Sequence, residues 1–337
     1  MQAIFRMKDI YDVRSICEIY KVIKANYKFD IDIGEFNEFK IIETDLSIFN
    51  DFNKELLESS DKYLNYAFAY KYLQKCNYCY HITYKELNMY IIMRHKITKK
   101  EKLQVFKNIY RVHLISKIYN ISKWDNYIFN FYIIMNPLKR CLPSKKNDLV
   151  DVKNINGGFT YINRNDIYII RKEDYNKVII HELLHHNILI HKQDWLESNI
   201  KRLQEHFNIH KSMLLIPNEA IIETYACVLN TIFYSIETGT SLKNNFKKDQ
   251  EHSIQLAKKI LEKQGGQEWN EKTHSYCYIV FKTILYVYFN NFLKIYKYNN
   301  DTAITDFLIK YSHRIYKRIR YAHKACDIGN KLKQTIY

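Results

Sequence analysis

The run His181-Glu182-Leu183-Leu184-His185 carries the chemistry that is easiest to name in this chain. Two histidines four apart on a helix share one face, one turn apart, so their imidazoles can converge on a single cation. Zinc takes neutral imidazole nitrogens at about 2.0–2.1 Å and prefers four ligands in a tetrahedron. Glu182 follows His181 by about 100° around a helix. That direction suits a general base acting on a water activated by the metal better than it suits a third ligand. Zn2+ is therefore the expected cofactor and hydrolysis the expected reaction. The competing explanation is a surface helix on which some of the 13 histidines happen to cluster.

The flanks favour the metal. Val178-Ile179-Ile180 before the motif and Leu183-Leu184 inside it give the helix an apolar face for a core, with residues 181, 182 and 185 on the opposite side. This long pattern resembles that of the zincin metallopeptidases, which carry uncharged residues at the same places. The resemblance implies a third ligand, and two positions compete. His191 lies ten residues after His181, the spacing of the metzincins, but those peptidases turn the chain at a glycine where Ile188 stands here. The segment Pro217-Asn218-Glu219-Ala220-Ile221-Ile222-Glu223-Thr224-Tyr225-Ala226 is similar to the second zinc motif of the gluzincins, the thermolysin-like peptidases. Carried over position by position, Glu219 would bind zinc. Glu223 would hold a ligand histidine by a hydrogen bond, fixing its tautomer and raising its basicity. A second register makes Glu223 the ligand instead. The likeness spans residues 157–226 at most, and it further implies a donor for the tetrahedral oxyanion from a later helix. His274, Tyr276 and Tyr278 open a suitable one.

These residues need elements to hold them, and the patterns predict an α+β fold, mostly helical. The zincin resemblance implies a small mixed or antiparallel sheet, an active-site helix and a following ligand-bearing helix. Residues 1–122 read as a helical N-terminal region, with helical spacing over Asp61 to Cys76 and Lys85 to Arg94, and Thr98 able to cap a helix start. Residues 123–337 read as the catalytic domain. Its sheet is expected within 127–171. Tyr127 to Met135 is aromatic and β-branched, and two short β runs flank Asn163-Arg164-Asn165-Asp166 as a hairpin. The active-site helix is expected over 174–191 with Asp174 as its cap, the ligand helix over 218–236 behind Pro217, and further helices over 250–330. In zincins a strand just ahead of the active-site helix pairs with an extended peptide. Here Gly158, Phe159 and Thr160 would form it, reading a polypeptide substrate through its backbone.

Composition bounds the alternatives. Of 337 residues 47% are hydrophobic, enough for a sizeable core, and only 7 Gly and 3 Pro interrupt it. The skew to Lys, Asn, Ile and Tyr is also what an AT-rich genome encodes. The net charge of +16 attracts phosphate polymers, so the alternative function is a basic nucleic-acid-binding or virion-associated protein whose metal site is incidental or structural. Against it, the charge is spread along the chain and no Arg-rich arm exists. The seven cysteines include one lone CxxC, Cys76-Asn77-Tyr78-Cys79, without the second pair a structural zinc site needs. Met1 to Tyr20 carries charges throughout and shows no cleavable apolar run, so reduced thiols and a cytoplasmic setting are expected. The most apolar stretch, Tyr276 to Leu293, holds Lys282 and Asn290-Asn291 and reads as a buried helix, so no membrane partner is expected.

Overall fold

Few chain breakers and long apolar runs give an α+β molecule, mostly helical, with one six-stranded mixed sheet. The computed structural model describes residues 15–29, 39–48, 50, 54, 57–58, 64, 66–119, 129–145, 147–161, 164–186, 195–296, 300–321 and 331–337. In chain order the first half forms α1 (Ile16–Asn26), β1 (Lys40–Thr44), α2 (Tyr66–Leu73), β2 (Tyr78–Tyr84), β3 (Leu87–Met93), α3 (Lys99–Ile118) and β4 (Phe129–Ile134). Then come β5 (Val150–Asp151), β6 (Gly158–Thr160), β7 (Asp166–Ile169), α4 (Tyr175–Leu184), α5 (Glu197–Phe207), α6 (Asn218–Thr238) and α7 (Leu242–Gln264). The last are β8 (Glu271–Lys272), a π-helical stretch (Tyr276–Phe281) running into α8 (Lys282–Val287), α9 (Phe289–Ile295) and α10 (Asp301–Tyr321). They belong to two compact units. One is drawn from residues 1–11, 22–139 and 156–186, the other from 12–21, 140–155 and 187–337.

The first unit is built on the sheet, in the order β1-β2-β3-β4-β7-β6. β3, β4 and β7 run parallel, with antiparallel pairs on either side. The region before residue 122 is therefore not purely helical: β1, β2 and β3 lie in it. Lys85 to Arg94, expected to be helical, instead turns at Lys85 (φ 51°) and enters β3. Leu87, Met89 and Ile91 alternate as a strand requires, and pairing with β2 and β4 overrides a spacing that also fits a helix. On one face Ile82, Met89, Ile91, Phe131, Ile133, Ile167 and Ile169 are wholly buried, and α3 packs on β3 while α4 packs on β6 and β7. On the other face Tyr90, Tyr132 and Tyr168 stack in register at 5.2 and 5.4 Å, and Phe159 stacks on Tyr168 at 4.8 Å. Beside them runs a polar row in which Asn88 Nδ2 donates to Asn130 Oδ1 and Asn130 Nδ2 to Asp166 Oδ1.

Two helices complete this unit. Thr98 caps α3 as expected: its hydroxyl accepts from the Glu101 N–H while the Glu101 carboxylate accepts from the Thr98 N–H. α4 starts differently from expectation. Asp174 stands at its N-cap with φ 58° but makes no side-chain cap bond; the carbonyl of Asp174 accepts from Lys177 and Val178, both at 2.9 Å. α4 also ends at Leu184 rather than reaching His191, and residues 187–194 lie outside the described residues. Asn108 of α3 donates to Asn176 of α4 at 2.7 Å.

In the second unit α6 is the central helix, buried along nearly its whole length and flanked by α7, α8 and the π-helical stretch. Pro217 opens it and Gly239, at φ 65°, closes it. A buried polar cluster braces its neighbours. Asp249, wholly buried, accepts from the Tyr286 hydroxyl at 2.9 Å, the Thr335 hydroxyl at 3.0 Å and the Ile336 N–H at 3.1 Å. The equally buried Lys282 donates to Ser253 at 2.9 Å. No helix among the described residues is long and apolar enough to cross a membrane.

Two tests follow for the first unit. A Cβ at Gly158 would stand 2.6 Å from the Tyr168 carbonyl oxygen and 3.0 Å from Val178 Cγ1 of α4. Gly158→Ala is expected to lower stability by about 1–3 kcal/mol, read as a drop in the urea midpoint. At Glu101 burial works to raise the pKa, but the Lys172 ammonium at 3.0 Å, the Thr98 bonds and His95 hold it at about 2. A carboxyl depressed in the fold adds stability above its unfolded pKa and loses it as pH falls towards the folded one. Glu101→Gln should therefore cost about 1–2 kcal/mol near pH 7, and the gap to wild type should close as pH drops from about 4.5 to about 2.

Candidate metal centre

The apolar run from Val178 to Leu184 buries α4 and leaves the metal-ligating type of side chain at its C-terminal end. His181 and Glu182 are each only 5% exposed, and His185 is half-buried. His185 is one residue past the helix, but its φ of −59° and ψ of −26° keep it on the helical path, so the spacing of four still sets the two imidazoles side by side. Their Nε2 atoms are 3.3 Å apart, with the rings edge to face at 5.1 Å. Two nitrogens each about 2.0–2.1 Å from a tetrahedral ion must be about 3.3–3.4 Å apart. The observed separation fits a shared cation.

His186, next to His185, is anchored to the sheet. His186 Nε2 lies 2.9 Å from the Thr160 hydroxyl of β6, and the His186 ring meets Phe129 edge to face at 5.2 Å. Sequence reasoning missed this role for His186; the hydroxyl of Thr160 on the strand ahead was the available signal. Within that strand Phe159 is a core residue, 4% exposed, while Gly158 and Thr160 are half-buried. Only β7 pairs with β6 among the described residues.

In the second unit Glu219 occupies the first turn of α6 and is half-buried. Its N–H bonds the Ile216 carbonyl at 3.1 Å. One ligand atom each from His181, His185 and Glu219 lie within 4.8 Å of one another, so these three could hold a metal ion. The acid in this group is Glu219 rather than Glu223. One turn further along α6, Glu223 is only 1% exposed and accepts from the Cys227 thiol at 3.7 Å. His191 lies outside the described residues.

The three residues considered as oxyanion donors separate clearly. Burial lowers the pKa of His274, partly offset by the nearby Glu219 carboxylate and by a hydrogen bond to the Leu214 carbonyl. Its Nδ1 is buried with no hydrogen-bond partner among the described residues. Tyr278 meets the His274 ring edge to face at 6.2 Å. Tyr276 instead belongs to the core. It is wholly buried, with its ring against Trp269, Phe281 and Phe207 and its hydroxyl donating to Gln264. Burial, with Tyr316 close by, raises its pKa well above the usual tyrosine value. Helical geometry gives this split, since positions two apart face nearly opposite ways while His274 and Tyr278, four apart, share a side; the stretch is π-helical where the Lys282 N–H bonds the Cys277 carbonyl five residues back.

Glu271 secures the start of that stretch. Its carboxyl accepts from the Ser275 N–H and hydroxyl and from the Tyr276 N–H. No family model, no curated protein and no solved structure matches the chain. Burial pushes the Glu271 carboxyl up to about 7, against the pull of its Ser275, Tyr276 and Trp269 donors. A carboxyl raised in the fold contributes stability below its unfolded pKa and loses it as pH rises through the folded one. Glu271→Gln keeps an acceptor oxygen and cannot ionise. Its melting temperature relative to wild type should therefore rise between about pH 5 and about pH 8, measured by calorimetry across that range.

Proposed function

We propose that this chain is a zinc-dependent metallopeptidase of the gluzincin type, hydrolysing peptide bonds. The observation that carries the reading is the grouping of His181, His185 and Glu219, with the two imidazole nitrogens at the spacing a tetrahedral ion requires. The donor set of two neutral nitrogens and one carboxylate is the one that leaves a position open for water or substrate in zinc hydrolases. When bound, zinc polarises a carbonyl oxygen and brings the pKa of a water towards neutrality.

The chain's own residues supply the rest. Glu182, beside His181 and buried, takes the proton from the attacking water and hands it to the leaving amine. Tyr278 donates to the developing oxyanion. His274 is less suited to that task, because burial keeps it neutral and its one N–H is taken by the Leu214 carbonyl. β6, a three-residue strand next to α4, offers backbone groups to an extended substrate. The six cysteines among the described residues form no disulfide; a reducing, cytoplasmic setting is part of this reading.

Purified protein should carry one zinc per chain by elemental analysis, and His185→Ala or Glu219→Ala should lose it. Glu182→Gln should retain the metal while peptide turnover falls by about 10²–10⁴. Full activity in Glu182→Gln would remove the general base, and a metal-free wild type would remove the enzyme. The nucleic-acid alternative rests on the +16 charge and predicts salt-dependent oligonucleotide binding without stoichiometric zinc.

A further inference from the structure

In the second unit α10 buries Ile304, Leu308, Ile315 and Ile319. Away from them it carries Lys310, His313, Arg314, Lys317 and Arg318, all exposed. Steps of three and four residues place these five on one face of the helix. No acid follows Asp306 in α10, and Asp306 is itself held by Arg202 at 2.6 Å. Like charges one turn apart, as at Lys310, Arg314 and Arg318, repel and weaken a helix. Arg314, Lys317 and Arg318 have no carboxylate partner among the described residues.

These three cations also line a groove of about 700 Å³ beside α7, inside the range of about 300–1,000 Å³ typical of ligand sites. Ile254 and Tyr288 give it apolar and aromatic surface. Its one acid among the described residues, Glu251, lies 4.0 Å from Lys247, so the balance of charge is positive. Tyr288 is half-buried at the break between α8 and α9, with its ring 4.4 Å from that of Tyr311. Arg314 lies over the Tyr311 ring at 5.4 Å. Cations beside aromatic rings in a groove are what holds single-stranded nucleic acid, the phosphates on the cations and a base against a ring. A duplex offers no unstacked base to such a ring. A membrane surface needs an apolar wedge on the same helix face, and no large apolar side chain of α10 is exposed among the described residues.

We propose that the groove between α7 and α10 binds single-stranded nucleic acid, with Arg314, Lys317 and Arg318 on its phosphates and a base packed against Tyr288. The site is separate from the metal-ligating group and stands whether or not zinc is bound. It gives the net charge of +16 a local focus: one helix face carries the repulsion, and a polyanion laid along that face relieves it.

The test titrates the full chain with a fluorescein-labelled oligothymidine of about 12 nucleotides and reads anisotropy between about 50 and about 200 mM salt. Affinity should fall with salt at a log–log slope of about −2, the counterion release expected for three phosphates of a single strand. Arg314→Gln, Lys317→Gln and Arg318→Gln combined should weaken binding at least about tenfold at the lower salt and flatten that slope. Tyr288→Leu should weaken it about 5- to 150-fold with the slope kept, and Tyr288→Trp should bind like wild type. Lys96→Gln, Lys99→Gln and Lys100→Gln combined remove the same charge from exposed positions of the first unit and should bind like wild type. Equal losses in the two triple variants would assign binding to diffuse charge and overturn the site, as would full binding by the α10 variant. Tighter binding to the duplex, or sedimentation with phosphatidylserine vesicles in place of oligonucleotide binding, would overturn it in favour of another partner. Zinc content separates this site from the peptidase reading. A zinc-free chain that meets these expectations loses the enzyme and keeps the groove, and a zinc peptidase that binds no oligonucleotide does the reverse.

Discussion

Two imidazole nitrogens 3.3 Å apart repel unless something positive lies between them, either a shared proton or a cation. Holding them there takes a rigid support, and the first unit is organised to give one. α4 is buried on almost every side, tied to α3 through Asn176 and laid so closely on β6 that a Cβ at position 158 would stand 3.0 Å from Val178 Cγ1. The start of α3 is itself pinned by the ion pair from Glu101 to Lys172, two residues before Asp174. Burial of His181 limits its rotamers already in the fold, as a preorganised ligand would require.

The second unit solves a different problem, that of presenting a carboxylate at a helix start. The first turn of α6 holds Glu219, where the helix dipole favours negative charge. Behind it the helix is buried along nearly its whole length and packs on three neighbours, so its axis has little freedom. The buried Asp249 cluster spends hydrogen bonds rather than apolar area to lock α7 to α8, which gives directional constraint that side-chain packing alone does not supply.

Much of this was legible before any coordinates. The β-branched run of β4, the hairpin of β6 and β7, the Thr98 cap and the helix behind Pro217 announce themselves through local chemistry. The two histidines that could hold a metal ion were legible because their spacing of four carries the geometry, whereas Glu219 was legible only through the resemblance to the gluzincin motif. What failed were choices that only long-range pairing decides. Leu87 to Met93 fits helical and strand periodicities alike, and the hydrogen bonds to β2 and β4, 42 residues away at Asn130, settle it. The end of α4 at Leu184 has no glycine or proline to mark it. Residues 195–216 show no single period, being part helix and part irregular chain, so their fold is not legible from pattern alone.

The π-helical stretch also decides how the neighbourhood of Glu219 can change over time. Each wide turn accommodates one residue more than an ordinary helical turn, so deleting a single position within 276–281 would rewind the stretch and swing everything upstream by about 100° about the axis. The polar groups upstream, His274 among them, would then turn away from their present direction, with no side chain altered in type. The aim of these polar groups is thus set by chain length rather than by residue identity, and insertions or deletions, not point substitutions, are the coarse adjustment available to this part of the protein.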